Sequence, residues 1–564
     1  MKLKGSQIVC ESLIREGVDT VFGYPGGKVI TLYDALIDYP LRHVLVRHEQ
    51  AAAHAADGYA RASGKVGVCI ATSGPGATNL VTGIATAYMD SSPIVAITGQ
   101  VSTDQLGRDS FQEVDITGIT MPITKHSYLV TDVADLPTVM KEAFYIARTG
   151  RPGPVLIDIA SDIMAHETEF VYPDELDLPG YRPTIQGHAL QIERAAEMIN
   201  QAERPVIMAG HGVVLANAED ELLALAERAH LPVITTLLGI GAIAETHRLS
   251  LGMVGMHGGK HANQAVQKAD LLIVLGARFS DRVTGKLGHF APNARIIHVD
   301  IDPAEIGKNI KPTLSVVGDL KDILHRLTPL VEPRLLTDWL TDLIRNRHRS
   351  QDIKALYPAD GKLMPPMVIR EIWRATGGKA LMVSDVGQNQ MWEAQYYFHD
   401  RRRGLITSGG LGTMGYALPA AMGVQLAVPD ATVWATVGDG GFQMNLQELA
   451  TITQEHLPIK IAILNNGYLG MVRQWQEIFF ERRYAHTPIS SPDYLKLAEA
   501  YGIPAKRVSS PEDMPQAVAE AMNIRGPVLL EFVVEREDNV YPMVPAGASI
   551  SEMIERHMVE EGGR

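Results

Sequence analysis

The sequence predicts an α/β protein made of three doubly wound parallel-sheet domains. Short β-branched runs alternate with longer helical patterns along the whole chain, as expected for parallel strands joined by helical crossovers. The length, 564 residues, is more than one core usually serves. Two stretches with linker composition divide the chain into three blocks of similar size. The first, about 166–183, is rich in Pro, Asp and Glu; the second, about 329–366, is charged and carries Pro329, Pro333, Pro358, Pro365 and Pro366. The expected domains are 1–165, 184–330 and 365–540, followed by a tail at 541–564.

In the first block, 43–47 reads as a strand and 49–62 as an alanine-rich helix. A second strand, 66–71, runs into Thr72-Ser73-Gly74-Pro75-Gly76-Ala77-Thr78-Asn79, a glycine-rich turn that opens a helix. The middle block has strands near 205–209, 232–235, 271–275 and 295–300. The third has strands at 380–384, 432–437, 459–464 and 528–533. The last block repeats the style of the first, without a residue-level period that would prove a repeat.

Hydrophobic content of 46% is ordinary for a soluble globular protein, and 51 glycines predict many tight turns. A net charge of -14 argues against a nucleic-acid backbone as partner. No apolar run is long enough to span a bilayer, so no membrane partner is expected. Met1-Lys2-Leu3-Lys4-Gly5 leads directly into a helical pattern with no signal peptide, which makes the cytoplasm the expected location. Cys10 and Cys69 sit in apolar segments and predict buried free thiols rather than a disulfide, as suits a reducing compartment.

The third block carries the clearest chemistry. The strand at 432–437 ends in Gly438-Asp439-Gly440-Gly441; after a helix at about 446–454, the strand at 459–464 ends in Asn465-Asn466. One βαβ crossover brings both strand ends to the same sheet edge, so the Asp439 carboxylate and the Asn466 amide oxygen can meet. One carboxylate plus neutral oxygens suits Mg²⁺ or Ca²⁺ with room left for phosphate oxygens, and the glycines let backbone N–H groups approach a diphosphate. Gly-Asp-Gly followed by Asn-Asn at this spacing resembles the signature of thiamine-diphosphate (ThDP) enzymes. The resemblance implies Asp439, Asn466 and the Tyr468 carbonyl as Mg²⁺ ligands. It places Gln388, Asn389, Gly438, Gly440, Gly441, Gly470 and Met471 about the cofactor, the Gly412 carbonyl at its 4′-amino group, and Met414 as the wedge that bends it.

Glu49, in Arg47-His48-Glu49-Gln50-Ala51, follows a strand and starts a helix with a small-residue face. By position alone it complements the helix dipole. The resemblance makes it the carboxyl that binds the pyrimidine N1′ and promotes loss of the thiazolium C2 proton. Glu49 and Asp439 lie in different blocks, and enzymes of this kind draw the two from different subunits, so a homodimer is the implied minimum and a homotetramer is common.

Further segments follow in order: Phe22-Gly23-Tyr24-Pro25-Gly26-Gly27, Gly99-Gln100-Val101, Phe111-Gln112-Glu113, Arg151-Pro152-Gly153-Pro154, Gly276-Ala277-Arg278-Phe279-Ser280-Asp281-Arg282 and Gly467-Tyr468-Leu469-Gly470-Met471-Val472-Arg473-Gln474-Trp475. Together they resemble the large catalytic subunit of acetohydroxyacid synthase (acetolactate synthase) over nearly the whole chain. The resemblance implies decarboxylation of pyruvate on ThDP and ligation of the hydroxyethyl unit to a second pyruvate or to 2-ketobutyrate, the first common step of branched-chain amino-acid synthesis, with a small regulatory subunit as partner. It implies catalytic or substrate-handling roles for Gln112, Lys125, Arg282 at the second acid's carboxylate, and Trp475 in favouring 2-ketobutyrate. It also implies FAD against Arg151, Gly210, Thr236, Leu237, Met256, His257, Gly276, Arg278, Asp300 and Asp319. The middle block has no GxGxxG; it offers glycine turns such as Gly210-His211-Gly212, and acids at strand ends. Three departures stand out: Ala160-Ser161-Asp162 where the family usually reads Pro-Lys-Asp, so that a basic residue of the access channel is missing; Ser280 in place of a common Asp; and Ser102 where plant enzymes carry Pro in the inhibitor-binding channel. An oxidase, a glyoxylate carboligase and an FAD-free catabolic acetolactate synthase are the rivals on the same scaffold; a non-catalytic binding or regulatory paralogue is a more distant one, against which Glu49, Asp439 and Asn466 argue.

Overall fold

The computed structural model describes residues 1–349, 356, 361–556 and 558. It contains three six-stranded sheets whose paired strands are all parallel, so the expected fold class holds. Across the first sheet the strands run Arg42–Leu45, Thr20–Gly23, Gly67–Ala71, Ile94–Gln100, Val155–Ala160 and His126–Val130. The middle sheet runs Ser250–Met253, Val233–Thr235, Pro205–Ala209, Leu271–Leu275, Arg295–Asp300 and Leu314–Val317. The third runs Leu405–Thr407, Leu381–Ser384, Val433–Gly438, Lys460–Asn465, Val528–Val533 and Ala505–Val508.

Counted along the chain within each sheet, the first and third share the order 2-1-3-4-6-5, whereas the middle runs 3-2-1-4-5-6, the order of dinucleotide-binding domains. The resemblance of style between the first and last blocks is therefore a shared topology. Each order reverses beside its first strand, and a reversal there opens a crevice at the carboxyl ends of the two strands flanking it. These strands are Thr20–Gly23 and Gly67–Ala71 in the first sheet, Pro205–Ala209 and Leu271–Leu275 in the middle, and Leu381–Ser384 and Val433–Gly438 in the third.

Helix Glu49–Ser63 explains how the first and third domains join. His48 caps it, its Nδ1 accepting the Gln50 N–H at 3.1 Å, and Gly64 ends it in the left-handed region at φ 75°. Its buried alanines 51, 52, 53, 55 and 56 let it lie directly on helix Ala417–Ala427 of the third domain. A Cβ on Gly58 would stand 2.2 Å from the Ala420 carbonyl oxygen, and one on Gly423 would stand 1.8 Å from that of Ala55. The two domains consequently share one hydrophobic core, while the middle domain packs two of its own.

The segment 329–366, expected as a linker, instead holds helix Thr337–Arg349. Its Trp339, Leu340 and Leu343 form an apolar stripe buried against the middle domain, a stripe masked in the sequence by flanking prolines and charges. Residues 350–355 and 357–360 lie outside the described residues. The tail is fastened too: Val544 N–H donates to the Met256 carbonyl at 2.8 Å and Lys286 N–H to that of Ala548 at 2.9 Å. Cys10 and Cys69 are buried and free, as expected. Among the described residues no helix is long and apolar enough to cross a membrane.

Candidate active site

At the crevice of the third sheet, strands Val433–Gly438 and Lys460–Asn465 pair with Gly438 opposite Leu464, so Asp439 and Asn466 leave the sheet side by side. Asp439 is buried, its carboxylate accepts the Gly467 N–H at 3.1 Å, and burial pushes its pKa up to about 6. Asn466 Oδ1 accepts the Tyr468 N–H at 3.0 Å, and its Nδ2 donates to Gln388 Oε1 at 3.3 Å. Gly470 closes the group: a Cβ there would meet Gln388 Oε1 at 2.2 Å. Asn389 Nδ2 donates to the Asp385 carbonyl at 2.9 Å. Met414 Cε comes within 3.6 Å of a Cβ built on Gly440, which ties the Gly438–Asp439–Gly440–Gly441 turn to the wedge residue.

A desolvated carboxylate among neutral oxygens is a donor set that a hard divalent cation relieves. Asp439 and Asn466 offer one carboxylate and one amide oxygen, a set that would leave a cation positions for phosphate oxygens. The residues present fit Mg²⁺ and a diphosphate.

Asp385 belongs to this site and was assigned no role in the sequence reading. Its buried carboxylate accepts N–H groups from Val386 (2.9 Å), Gly415 (2.9 Å) and Ala417 (3.0 Å), stapling the 385–389 turn to the 412–417 turn. Burial pushes its pKa up to about 6. An acid directly after a buried strand and two residues before Gly387 was the available signal.

A cleft of about 870 Å³ lies where the middle domain meets the first and third. Gly412, Met414, Met471, Trp475 and Arg282 line it, as do nine of the ten residues expected at a flavin. The tenth, Gly210, backs the wall, where a Cβ would stand 2.2 Å from the Gly276 carbonyl oxygen. Arg151 anchors the polar side: its Nη1 lies 2.7 Å from Glu305 Oε1 and 3.3 Å from Asp302 Oδ2. Burial raises Asp300 to about 6. Asp319 caps helix Leu320–Leu327 through the N–H groups of Lys321 and Asp322. Glu305, also in the lining and absent from the expected set, is buried with Oε2 lacking a partner. An orphaned acceptor, a glycine-backed wall and the 3-2-1-4-5-6 strand order together fit a dinucleotide such as FAD. Glu305 was hidden because it sits in the 3-10 turn Pro303–Glu305, beyond the strand end that drew attention.

Trp475 is half-buried on helix Gly470–Phe479 with its ring 5.2 Å from that of Phe479. The next residue back fixes that helix, Gln474 Nε2 donating to the Val540 carbonyl at 3.0 Å. The Arg282 guanidinium is exposed at the cleft, 3.6 Å from Asp281.

Three expected residues lie elsewhere in the chain. The Glu49 carboxylate accepts from Asn79 Nδ2 at 2.9 Å within the first domain, is half-buried, and does not line the cleft. Gln112, in the left-handed region at φ 61°, packs against Gly74 of the same domain. Lys125 is held within its own domain. Its buried amine donates to the Thr149 carbonyl at 2.7 Å, to Tyr181 Oη at 2.9 Å and to the Ile146 carbonyl, and so closes the end of helix Leu136–Arg148. Burial lowers its pKa to about 7. A buried ammonium must find acceptors, and these hold it away from the cleft.

Three family models match the chain in order: the N-terminal thiamine pyrophosphate binding domain at 3–119, the central domain at 192–327 and the C-terminal thiamine pyrophosphate binding domain at 385–532. The chain is 48% identical to the acetolactate synthase large subunit of Corynebacterium glutamicum, over 98% of this chain and 90% of the relative. It is 47% identical to the probable acetolactate synthase large subunit of Methanocaldococcus jannaschii, over 99% and 96%. It is 47% identical to the large subunit of Pyropia yezoensis, over 98% and 95%. The three crevices, the Asp439–Asn466 pair and these full-length matches converge: the chain belongs to the acetolactate synthase large-subunit family of thiamine pyrophosphate enzymes.

Proposed function

We propose that the protein decarboxylates pyruvate and ligates the two-carbon unit to a second pyruvate or to 2-ketobutyrate, using ThDP, Mg²⁺ and FAD. The observation that carries this reading is the single cleft in which the Gly412–Met414 turn and Trp475 face the Arg151–Asp300–Asp319 wall. Asp439, Asn466 and the Tyr468 carbonyl would hold Mg²⁺, with Gln388 and Asn389 at the diphosphate. Bound ThDP supplies the electron sink that lets a 2-keto acid lose CO₂. Glu49 holds the proton at the pyrimidine N1′. Arg282 offers an exposed guanidinium to the carboxylate of the second acid, and the apolar cleft wall excludes water.

Glu49 does not line the cleft of its own chain, and Phe111, Met121 and Phe480 are exposed hydrophobics. Both features support a homodimer in which the partner's first domain completes the site. A homotetramer and a small regulatory subunit extend the same reading.

The deciding experiment supplies purified protein with pyruvate, ThDP, Mg²⁺ and FAD, with and without 2-ketobutyrate. Acetolactate and acetohydroxybutyrate should form with no net flavin reduction. Flavin reduced one-to-one with pyruvate consumed would make the protein an oxidase instead.

Choice of second substrate gives a sharper expectation. The Trp475 indole can bury the extra methyl of 2-ketobutyrate, and one methylene is worth about 1–3 kcal/mol, or roughly 10–200-fold. Trp475→Leu should lower the preference for 2-ketobutyrate by about that factor and largely keep acetolactate formation. A competition assay with both acids reads the product ratio; an unchanged ratio in a folded variant removes the role.

A further inference from the structure

A buried corner of the first domain touches both ends of the cleft. Helix Val81–Asp90 ends at Asp90, and Ser91 follows in the left-handed region at φ 61°. Asp90 is buried, and Oδ2 takes the Arg61 Nη2 at 2.7 Å. The same carboxylate accepts backbone N–H groups of the third domain: Gly409 at 3.0 Å and Gly410 at 2.6 Å. Arg61 adds a third tie to that turn, Nη1 donating to the Thr407 carbonyl at 2.7 Å. The approach is close enough to need glycine, since a Cβ on Gly410 would stand 2.7 Å from Asp90 Oδ1.

Charge balance alone does not account for Asp90. Arg61 is already paired with buried Asp57 at 2.9 Å, so the guanidinium is neutralised without it. A second buried carboxylate in such a network is tolerated because two N–H groups of the turn support its charge. Those N–H groups belong to the turn that leads to Gly412 and Met414 in the cleft wall.

The next residue faces the other end. Ser91 Oγ accepts Arg151 Nε at 2.9 Å, behind the nitrogen of the same guanidinium that meets Glu305. Glycine is the usual residue at a left-handed helix end, so a serine there carries conformational strain. Its hydroxyl has a bond to make in return. Met89, Asp90 and Ser91 all reach the cleft lining.

We propose that the 90–91 corner is a positioning junction serving both cofactor ends: Asp90 sets the 407–412 turn that receives the pyrimidine of ThDP, and Ser91 sets the Arg151 guanidinium that faces the flavin. Neither residue is catalytic. Each acts through the group it holds, and the corner fixes the spacing of the two ends in one rigid piece. The cofactor half of this inference rests on the function proposed above.

The test uses the full chain with Asp90→Asn and Ser91→Gly. Glycine suits φ 61°, so the second variant keeps the fold while losing only the hydroxyl. Amide hydrogen exchange without any ligand should accelerate at least about tenfold in 405–413 for Asp90→Asn and stay unchanged there for Ser91→Gly. The ThDP Kd should rise about tenfold in Asp90→Asn and stay within about twofold in Ser91→Gly. The FAD Kd, read by quenching of flavin fluorescence, should do the reverse, rising about fivefold in Ser91→Gly alone. Unchanged exchange at 409–410 in folded Asp90→Asn overturns the Asp90 role. Equal weakening of both cofactors by both variants reduces the corner to a fold-stabilising ion pair and overturns the junction. If Asp90→Asn fails to fold, Gly410→Ala strains the same clamp from the other side, and an unaltered ThDP Kd there overturns it. If the parent chain binds neither cofactor, the proposed function falls, while the exchange measurement still decides the clamp.

Discussion

Asp439→Ala is expected to abolish Mg²⁺-dependent binding of ThDP while leaving the fold in place. Asp439 is the carboxylate in the expected ligand set; Asn466 and the Tyr468 carbonyl contribute only neutral oxygens. Loss of a residue that merely supports a metal ligand costs about 10–100-fold in affinity, so loss of the charged ligand itself should exceed about 100-fold. The fold should survive because the carboxylate makes few bonds of its own: the Gly467 N–H at 3.1 Å is the nearest, and losing one such bond costs about 1–3 kcal/mol. Alanine also removes a carboxylate held at a raised pKa by burial, which offsets part of that cost. Titration of ThDP by protein fluorescence, with and without Mg²⁺, reads the result. A wild-type Kd in the variant would remove Asp439 from the metal site.

The second large effect concerns Glu49. Glu49→Gln keeps the length and the acceptor for Asn79 Nδ2, now 2.9 Å from Oε2, so helix Glu49–Ser63 should start unchanged. In the role proposed for Glu49 it removes the proton shared with the pyrimidine N1′, and loss of a positioned acid–base group costs about 10²–10⁴ in rate. Exchange of the C2 proton of bound ThDP, followed by quenched-flow NMR, should slow by that factor while ThDP affinity changes little. Equal exchange rates in variant and wild type would show that another group activates the cofactor.

What could be read in advance follows from what is local. In the middle and third sheets the strands legible in the sequence are interior ones or buried runs such as Leu271–Leu275 and Lys460–Asn465. The strands it passes over, Ser250–Met253, Leu314–Val317, Leu405–Thr407 and Ala505–Val508, are all sheet edges. An edge strand is short, open on one side and free to mix polar residues, so the periodic signal fades. Asp439 and Asn466 were legible because a single crossover fixes their relation. Glu305 and the 90–91 corner were not, because their partners lie far off in sequence: Arg151 meets Glu305 across 154 residues, and Asp90 meets Gly409 and Gly410 across 319 and 320 residues. Lys125 shows the opposite situation. Resemblance gave it a role in chemistry, whereas its surroundings in this chain give it three oxygens to satisfy.

The glycine contacts between helices Glu49–Ser63 and Ala417–Ala427 also bear on how the molecule can move. Backbone touches backbone at Gly58 and Gly423, with no side-chain cushion between them. Such a joint has no slack: sliding or hinging it would drive a carbonyl oxygen into a Cα. The first and third domains therefore travel as one block. The cleft lies between that block and the middle domain, so any change in its width is a displacement of the middle domain relative to that block, with the 90–91 corner on the block's side.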